Sequence, residues 1–186
     1  LADKLLSTIN SQLSTILIGI CGGYQMLGEK IYDTQKIESG KKEIEGLGLL
    51  SIITHYKKEK ILCQVKAREI ATGLEISGYE IHHGQTRQLK NYQPLFKVIE
   101  RLGKIVDQHD GVISEDRRIW GTYIHGLFDA DSFRRDFLNQ IRQRKGQFPL
   151  LKTAGFNLDK EFDKLADLLR KNLDIKLLYR ILNREL

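Results

Sequence analysis

The strongest constraint on the fold is a glycine-rich turn between a short apolar run and a helical pattern. Residues 15–20 (T-I-L-I-G-I) are rich in β-branched side chains, which is typical of a strand buried on both faces. Residues 19–23 (G-I-C-G-G) have the form of a nucleophile elbow, in which glycines make room for a nucleophile with a strained backbone. The sequence therefore predicts an α/β fold with Cys21 at the carboxyl end of a buried strand.

The position of Cys21 has consequences for its chemistry. A helix dipole lowers the pKa of a thiol at the helix N-terminus, and the thiolate is the reactive form. The amide N–H of Gly22 would then point toward an oxyanion that develops on an attacked carbonyl. The alternative is a buried structural cysteine in a glycine turn, as we predict for Cys63 in a later strand.

A thiol nucleophile needs a base, and the chain offers five histidines. His125 and His82 each lie at the end of a predicted strand, with His83 beside the latter, and the ends of strands are where active sites of open α/β sheets gather. His55 and His109 are predicted to lie in polar loops and are interpreted as surface residues. Spacing alone leaves the choice between His125 and His82 open.

The rest of the chain alternates predicted strands and helices. Besides 15–20, strands are predicted at 47–54, 61–67, 74–81 and 118–124, with a hairpin over 103–114. Helices are predicted at 1–12 and 24–32, from Asp131 or Ser132 to Lys145-Gly146, and at 159–172 and 175–182.

Composition excludes several classes of function. The chain of 186 residues is 41% hydrophobic and 29% charged, which is typical of one soluble globular domain. Its net charge of +6 comes mostly from basic residues scattered among acids after position 130, so we predict no nucleic-acid partner. No apolar run reaches the roughly 20 residues that a membrane span needs. Two cysteines suit a reducing compartment, and we predict a cytoplasmic protein.

Three ordered motifs are more specific than any of these patterns. They are residues 19–28 (G-I-C-G-G-Y-Q-M-L-G), 78–86 (G-Y-E-I-H-H-G-Q-T) and 121–129 (G-T-Y-I-H-G-L-F-D). Together they resemble the class I glutamine amidotransferase domain of the cobyric acid synthase family, and the similarity extends to a C-terminal helix around 162–167. The resemblance implies a flavodoxin-like, mixed and mainly parallel sheet flanked by helices, with extra C-terminal helices.

The resemblance also assigns roles. It implies that Cys21 is the nucleophile, that His125 is its base and that Gly22 contributes to the oxyanion hole. Glutamine would be hydrolysed here without a cofactor. The ammonia would pass to a synthetase domain that uses ATP and Mg²⁺ to amidate corrin carboxylates. That domain and a strand-rich segment before the elbow are not in this sequence, so we expect residues 1–186 to be a glutaminase domain that is incomplete at its N-terminus.

The resemblance leaves the glutamine pocket less defined. Typical class I enzymes carry a glutamate two residues after the base, where this chain has Leu127, and the resembled family also lacks that glutamate. Glu80 is then a candidate to bind the amino group of glutamine, with Gln25 and His82 as further candidates. Structural roles remain as alternatives for Glu80 and Gln25, and Tyr79 is predicted to be a core residue.

Other interpretations of the whole chain compete with this one. A subunit that amidates the cell-wall precursor lipid II shares some of these motifs, and a non-catalytic remnant that binds a partner is a second possibility. A metal site formed by Cys21, His82 and His125 is rejected, because zinc ligands usually come in closely spaced pairs that this chain lacks.

Overall fold

The computed structural model describes residues 1–12, 14–151 and 157–184. The chain divides into two compact units, Leu1–Thr153 and Ala154–Leu186. The larger unit contains a β-sheet and all three motifs, and the smaller unit contains two helices.

The larger unit is built on a mixed sheet, as the sequence predicts. Its described strands are β1 (Leu17–Ile20), β2 (Lys30–Tyr32), β3 (Glu43–Glu45), β4 (Ile52–Glu69), β5 (Glu75–Gln88), β6 (Gln93–Arg101), β7 (Lys104–Ile113) and β8 (Ile119–Thr122). They lie in the order β1-β8-β7-β6-β4-β2-β3, and β5 pairs with β4. Parallel pairing joins β1 to β8 and β2 to β4. Antiparallel pairings outnumber these among the described strands, because short connections join β4 to β5, β6 to β7 and β7 to β8 as antiparallel neighbours.

Five α-helices are described. The larger unit holds α1 (Ala2–Ser11), α2 (Gly22–Leu27) and α3 (Asp131–Arg144), with a 3₁₀ turn at Leu127–Asp129, and the smaller unit holds α4 (Leu158–Asn172) and α5 (Ile175–Leu182). The helix α3 ends as predicted, since Gly146 adopts φ 66° and the N–H of Gln147 donates to the carbonyl of Arg142 at 2.8 Å. Its N-cap is Ala130 rather than Asp131 or Ser132, because Asp131 already lies in the first turn and pairs with Arg134.

The helix predicted over 24–32 is wrong beyond Leu27. Gly28 ends the helix against β4, since a Cβ there would lie 2.8 Å from the carbonyl oxygen of Ile52. The next residues form β2, which pairs with both β3 and β4. Tertiary pairing therefore overrides the helical pattern of this segment.

Two predicted strands merge into one. The long strand β4 covers only residues 52–54 of the strand predicted at 47–54 but all of 61–67, and its ladder with β5 shifts register between Tyr56 and Ile61. The charged residues at this irregularity are exposed, which gives the segment the appearance of a loop in the sequence. The hairpin predicted over 103–114 is wrong, because these residues form the single strand β7, which pairs with the strand β6 that was not predicted.

Two apolar clusters hold the sheet around the motifs. One cluster packs the buried Phe96, Trp120, Ile124 and Phe133 together, and the adjoining Phe128 fixes the 3₁₀ turn against it. The second cluster packs α1 and α2 against the sheet, with members that are all buried: Ile9, Tyr24, Leu27, Leu50, Ile52, Val112, Ile119 and Tyr123.

The smaller unit consists of two amphipathic helices that begin with side-chain caps. The Asn157 side chain accepts from the N–H of Lys160, and the Asp174 side chain accepts from the N–H of Leu177. None of the residues in α4 or α5 is buried. Across the part of the chain that the structure describes, no helix is both long and apolar enough to traverse a bilayer.

Candidate active site

Cys21 lies at the turn between β1 and α2, as the elbow motif predicts. Its backbone adopts φ 53° and ψ −111°, a conformation that costs a non-glycine residue of order 1–3 kcal/mol. Its N–H donates to the carbonyl of Thr122 at 2.9 Å, which continues the parallel pairing of β1 with β8. The strain therefore falls on the candidate nucleophile itself.

The elbow glycines differ in what they contribute. A Cβ on Gly19 would lie 2.7 Å from the carbonyl carbon of Gly23 and from Cδ1 of Leu27, so only glycine lets α2 pack directly on β1. A Cβ on Gly22 or on Gly23 would meet nothing within 4 Å. The close approach that the elbow needs is therefore at Gly19.

The thiol of Cys21 is not acidified by its position. Its Sγ donates to the carbonyl of Ile81 at 3.5 Å. Burial raises the pKa of the thiol, the Gly22 N–H hydrogen bond lowers it by less, and the nearby Glu38 carboxylate raises it further. The predicted lowering of the pKa is wrong because desolvation outweighs the effect of a helix of only six residues. The thiol therefore needs a base.

His125 follows β8 and is held by β5. Its N–H donates to the carbonyl of Tyr79 at 2.8 Å, and the N–H of Tyr79 donates back at 3.2 Å. The two rings stack with centroids 4.8 Å apart and planes 5° apart. The Nε2 atom of His125 is buried and has no hydrogen-bond partner among the described residues. This ring is thus oriented by its neighbours while one nitrogen is left available.

The approach of His125 to β5 depends on a glycine in the second motif. A Cβ on Gly78 would lie 2.1 Å from the carbonyl oxygen of His125. The next residue, Tyr79, is 46% exposed and covers the imidazole, so its prediction as a core residue is wrong. A tyrosine immediately after a glycine in a strand is the signal that could have indicated this role.

His82 occupies the other face of β5, since successive strand residues point to opposite sides. Its buried ring stacks on Tyr123 at 3.7 Å, and its Nδ1 lies 2.7 Å from the carbonyl of Gly84. Burial lowers the pKa of His82, which outweighs the hydrogen bond to Gly84 and the attraction of Glu80. Its Nε2 has no partner among the described residues, but the ring is set against Tyr123 rather than Tyr79.

Glu80 is buried and fully engaged with its neighbours. It is 1% exposed, and its Oε1 accepts from Nη2 of Arg101 at 2.9 Å. Its Oε2 accepts from the thiol of Cys63 at 3.4 Å. Both oxygens have protein partners, so the geometry favours the structural role that the sequence left open for Glu80.

Gln25 is likewise engaged. It is 4% exposed, and its Oε1 accepts from the hydroxyl of Tyr56 at 2.8 Å. Its Nε2 donates to the hydroxyl of Tyr123 at 3.4 Å, which in turn bonds to the hydroxyl of Thr86 at 2.7 Å. This buried network ties α2 to β4, β5 and the end of β8, and it favours a packing role for Gln25.

A buried carboxylate that sequence reasoning missed is bonded to the end of β8 and to the residue after it. Asp110, at 8% exposure, accepts from the hydroxyl of Thr122 and from the N–H of Tyr123 at 3.2 Å. Burial raises the pKa of Asp110 to about 6, against the opposing hydrogen bond from Thr122. The sequence offers only a weak signal for it, an aspartate beside Gly111 in a polar stretch.

A cleft of about 950 Å³ lies along β4 and β5, and neither Cys21 nor His125 is among the residues that line it. Its lining includes Tyr79, Gly126 and Asp129, next to His125, and Cys63 and Lys66 further along β4. The volume is in the range of small-molecule sites in proteins. Within the described ranges, no group of three or more histidine, cysteine, aspartate or glutamate side chains is arranged to hold a metal ion.

Known proteins resemble this chain in sequence. The family of CobB/CobQ-like glutamine amidotransferase domains matches residues 2–133. The adenosylcobalamin biosynthesis bifunctional protein CobDQ of Leptospira interrogans is 45% identical over 183 residues, covering 97% of this chain and 20% of that protein. The cobyric acid synthase of Clostridium botulinum strain Langeland is 44% identical over 169 residues, covering 89% of this chain and 34% of that enzyme. The cobyric acid synthase of Dehalococcoides mccartyi is 45% identical over 177 residues, covering 91% of this chain and 35% of that enzyme.

The fold also has a solved counterpart. The structure of PurLQS from Thermotoga maritima superposes with a TM-score of 0.53 over 75% of this chain and 68% of that one, at 15% identity. Fold and elbow together define a class I glutamine amidotransferase domain. More narrowly, the chain belongs to the CobB/CobQ-like glutamine amidotransferase family. It spans only about a fifth to a third of the length of these curated relatives.

Proposed function

We propose that this domain hydrolyses glutamine through a thioester on Cys21 and supplies the ammonia for amidation of corrin carboxylates in cobalamin biosynthesis. The observation that carries the proposal is the elbow geometry. Cys21 has φ 53° at the end of β1, and Gly22 directly after it is the first residue of α2. The first N–H groups of a helix have no partner within the helix, so the N–H of Gly22 is available for the oxyanion formed when the sulfur of Cys21 attacks a carbonyl.

The first half of the reaction is acyl transfer. His125 removes the thiol proton, and Sγ of Cys21 forms a bond to the side-chain amide carbon of glutamine. The oxyanion accepts a hydrogen bond from the Gly22 N–H. As it collapses, the carbon–nitrogen bond breaks, and His125 gives its proton to the leaving ammonia. The raised pKa of the thiol makes this base necessary.

The second half regenerates the enzyme. His125 removes a proton from water, which attacks the thioester carbon, and glutamate leaves as the bond to Sγ breaks. Stacking on Tyr79 and the backbone bridge to β5 keep the imidazole oriented through both halves. These contacts replace the orienting glutamate whose position Leu127 occupies.

The destination of the ammonia is proposed from the relatives. Several are named cobyric acid synthase, and this chain matches about a third of their length. We place ATP, Mg²⁺ and the corrinoid on a synthetase domain elsewhere in the complete cytoplasmic protein, and no cofactor in this domain. The names of these relatives favour this destination over the cell-wall precursor lipid II.

The test separates ammonia production from amidation. In the complete polypeptide, His125→Ala should lower glutamine-dependent amidation about 10²- to 10⁴-fold while amidation with added ammonium salt is retained. His83→Ala is the matched control, because His83 is only half-buried and its Nδ1 lies 2.9 Å from the carbonyl of Lys57. Equal loss of both activities in folded His125→Ala would contradict the proposed mechanism.

A glutamine-like diazo ketone tests the nucleophile directly. It should alkylate Cys21 and spare Cys63, whose buried thiol donates to Glu80. Peptide mapping that finds equal labelling of both cysteines would contradict the elbow assignment. Absence of glutamine hydrolysis by the complete wild-type protein would support the non-catalytic alternative.

A further inference from the structure

Thr122 occupies a shared position between the two halves of the candidate site. It is the last residue of β8 and is fully buried. Its carbonyl accepts the N–H of Cys21 at 2.9 Å, and its hydroxyl accepts the N–H of Ile124 at 3.1 Å. One residue therefore contacts the backbone of the nucleophile and that of the residue before the base.

The side chain of Thr122 is held in turn by Asp110. The Thr122 hydroxyl donates to Oδ2 of Asp110, and the N–H of Tyr123 donates to the same carboxylate at 3.2 Å and 3.4 Å. The three residues that precede His125 are thus bonded to this carboxylate directly or through one hydroxyl. The strands β7 and β8 approach this closely because residue 111 is a glycine. A Cβ on Gly111 would lie 2.4 Å from the carbonyl oxygen of Gly121.

We propose that Asp110 is a positioning residue for the glutaminase site, which fixes residues 122–124 and so sets the place of His125 relative to Cys21. The inference rests on the proposed function. An aspartate suits the role because it accepts from two donors at once, whereas an asparagine has to present one N–H group to a donor. A misplacement of about 1 Å of a catalytic group can cost on the order of 10²-fold in rate.

The test uses three variants of the complete polypeptide. Asp110→Asn and Thr122→Val should each lower kcat for glutamine about ten- to a hundredfold and leave KM for glutamine within about twofold. Thr122→Ser keeps the hydroxyl and should retain kcat within about threefold. Activity with added ammonium salt should be unchanged in all three. Full kcat in Asp110→Asn, or a rise in KM with kcat retained, would overturn the proposal.

Amide hydrogen exchange gives a readout that does not depend on turnover. Exchange at the amides of Tyr123 and Ile124 should be faster in Asp110→Asn than in the wild type, and unchanged exchange would overturn the proposal. If Asp110→Asn fails to fold, Thr122→Val carries the same comparison at Ile124. An inactive wild type with faster exchange in the variant would contradict the proposed function alone. An active wild type with an unaffected variant would contradict the role of Asp110 alone.

Discussion

The two halves of the candidate site are assembled in different ways. The segment around Cys21 is shaped by its immediate neighbours, since Gly19, β1 and α2 all lie within a few residues of it. The segment around His125 is held by β5 through Tyr79 and by β7 through Asp110. The turn that carries the nucleophile is thus encoded by nearby residues, although its N–H is bonded to Thr122, whereas the base is positioned by strands distant in sequence.

This difference predicts how each half responds to substitution. Changes near Cys21 should alter local strain and leave the rest of the sheet intact. The His125 segment should instead be sensitive to substitutions at positions distant in sequence. These should lower the free energy of unfolding more, because they disturb the contact between strands.

The largest expected effect is at Gly78. Gly78→Ala places a Cβ against the carbonyl oxygen of His125 and should lower the free energy of unfolding by about 3 kcal/mol or more. Gly23→Ala in the elbow is the control, and its free energy should change by less than about 1 kcal/mol because the added Cβ meets nothing. Urea denaturation of both variants checks this, and equal effects would remove the distinction between the two segments.

The next effect concerns pH. Folding raises the pKa of Asp110 from 3.8 to about 6, so its contribution to stability is present below about pH 4 and is lost as the pH rises through 6. The ionised carboxylate is acted on by Glu80, which opposes it, and by Arg101, which favours it. Asp110→Asn removes this titration, so its free energy of unfolding relative to wild type should rise by up to about 3 kcal/mol between pH 4 and pH 7.

Asp107→Asn is the control for that measurement, on the same strand. Asp107 is largely exposed and pairs with Lys97. The difference in free energy of unfolding between Asp107→Asn and the wild type should therefore stay nearly constant over the same pH range. A flat difference for Asp110→Asn as well would show that Asp110 does not titrate in this window.

A somewhat smaller effect should follow from the ion pair that supports β5. Arg101→Met leaves the Glu80 carboxylate buried without a cation and should lower the free energy of unfolding by about 2–3 kcal/mol. The double variant with Glu80→Gln should recover more than half of that loss. Lys97→Met, also in β6, breaks an exposed ion pair and should change the free energy of unfolding by about 0.5 kcal/mol or less.

Glu80→Gln alone also tests the glutamine pocket. With both oxygens bonded to Arg101 and Cys63, we expect KM for glutamine to stay within about threefold of wild type. A rise of about tenfold or more in a variant of unchanged stability would restore Glu80 as a glutamine-binding residue.

The smallest effect is at the elbow itself. Glycine adopts positive φ without strain, so Cys21→Gly should be more stable than Cys21→Ala by about 1 kcal/mol. Cys63 lies in β4, where glycine weakens a strand, so Cys63→Gly should be less stable than Cys63→Ala by a similar amount. Thermal denaturation of the four variants would contradict the assigned strain if the order were the same at both positions.

What the sequence predicts well follows the same division. The strand before Cys21, the turn and the start of α2 are confirmed, since a β-branched run and closely spaced glycines encode them within ten residues. The end of α2, the length of β4 and the existence of β6 were missed. Each of these depends on pairing with a strand that lies elsewhere in the chain.

Several contacts within the candidate site could not be predicted from the sequence. A motif places Cys21 and His125 at strand ends, but no spacing in the sequence relates Asp110 to Thr122 or Tyr79 to the imidazole. The pKa of the Cys21 thiol was also mispredicted, because burial depends on the packed surroundings and only the helix terminus can be recognised from sequence.

Thr122 bonds to Cys21 through its carbonyl and to Asp110 through its hydroxyl, which has a consequence for the transfer of this site to another scaffold. An elbow grafted alone onto another α/β scaffold would bring the cysteine and its strained turn but not the carbonyl that receives the Cys21 N–H. The portable unit is therefore a pair of adjacent parallel strands, β1 and β8, with the aspartate that secures the end of the second. A scaffold that offers a strand–turn–helix without that neighbouring strand would display the nucleophile without a place for its base.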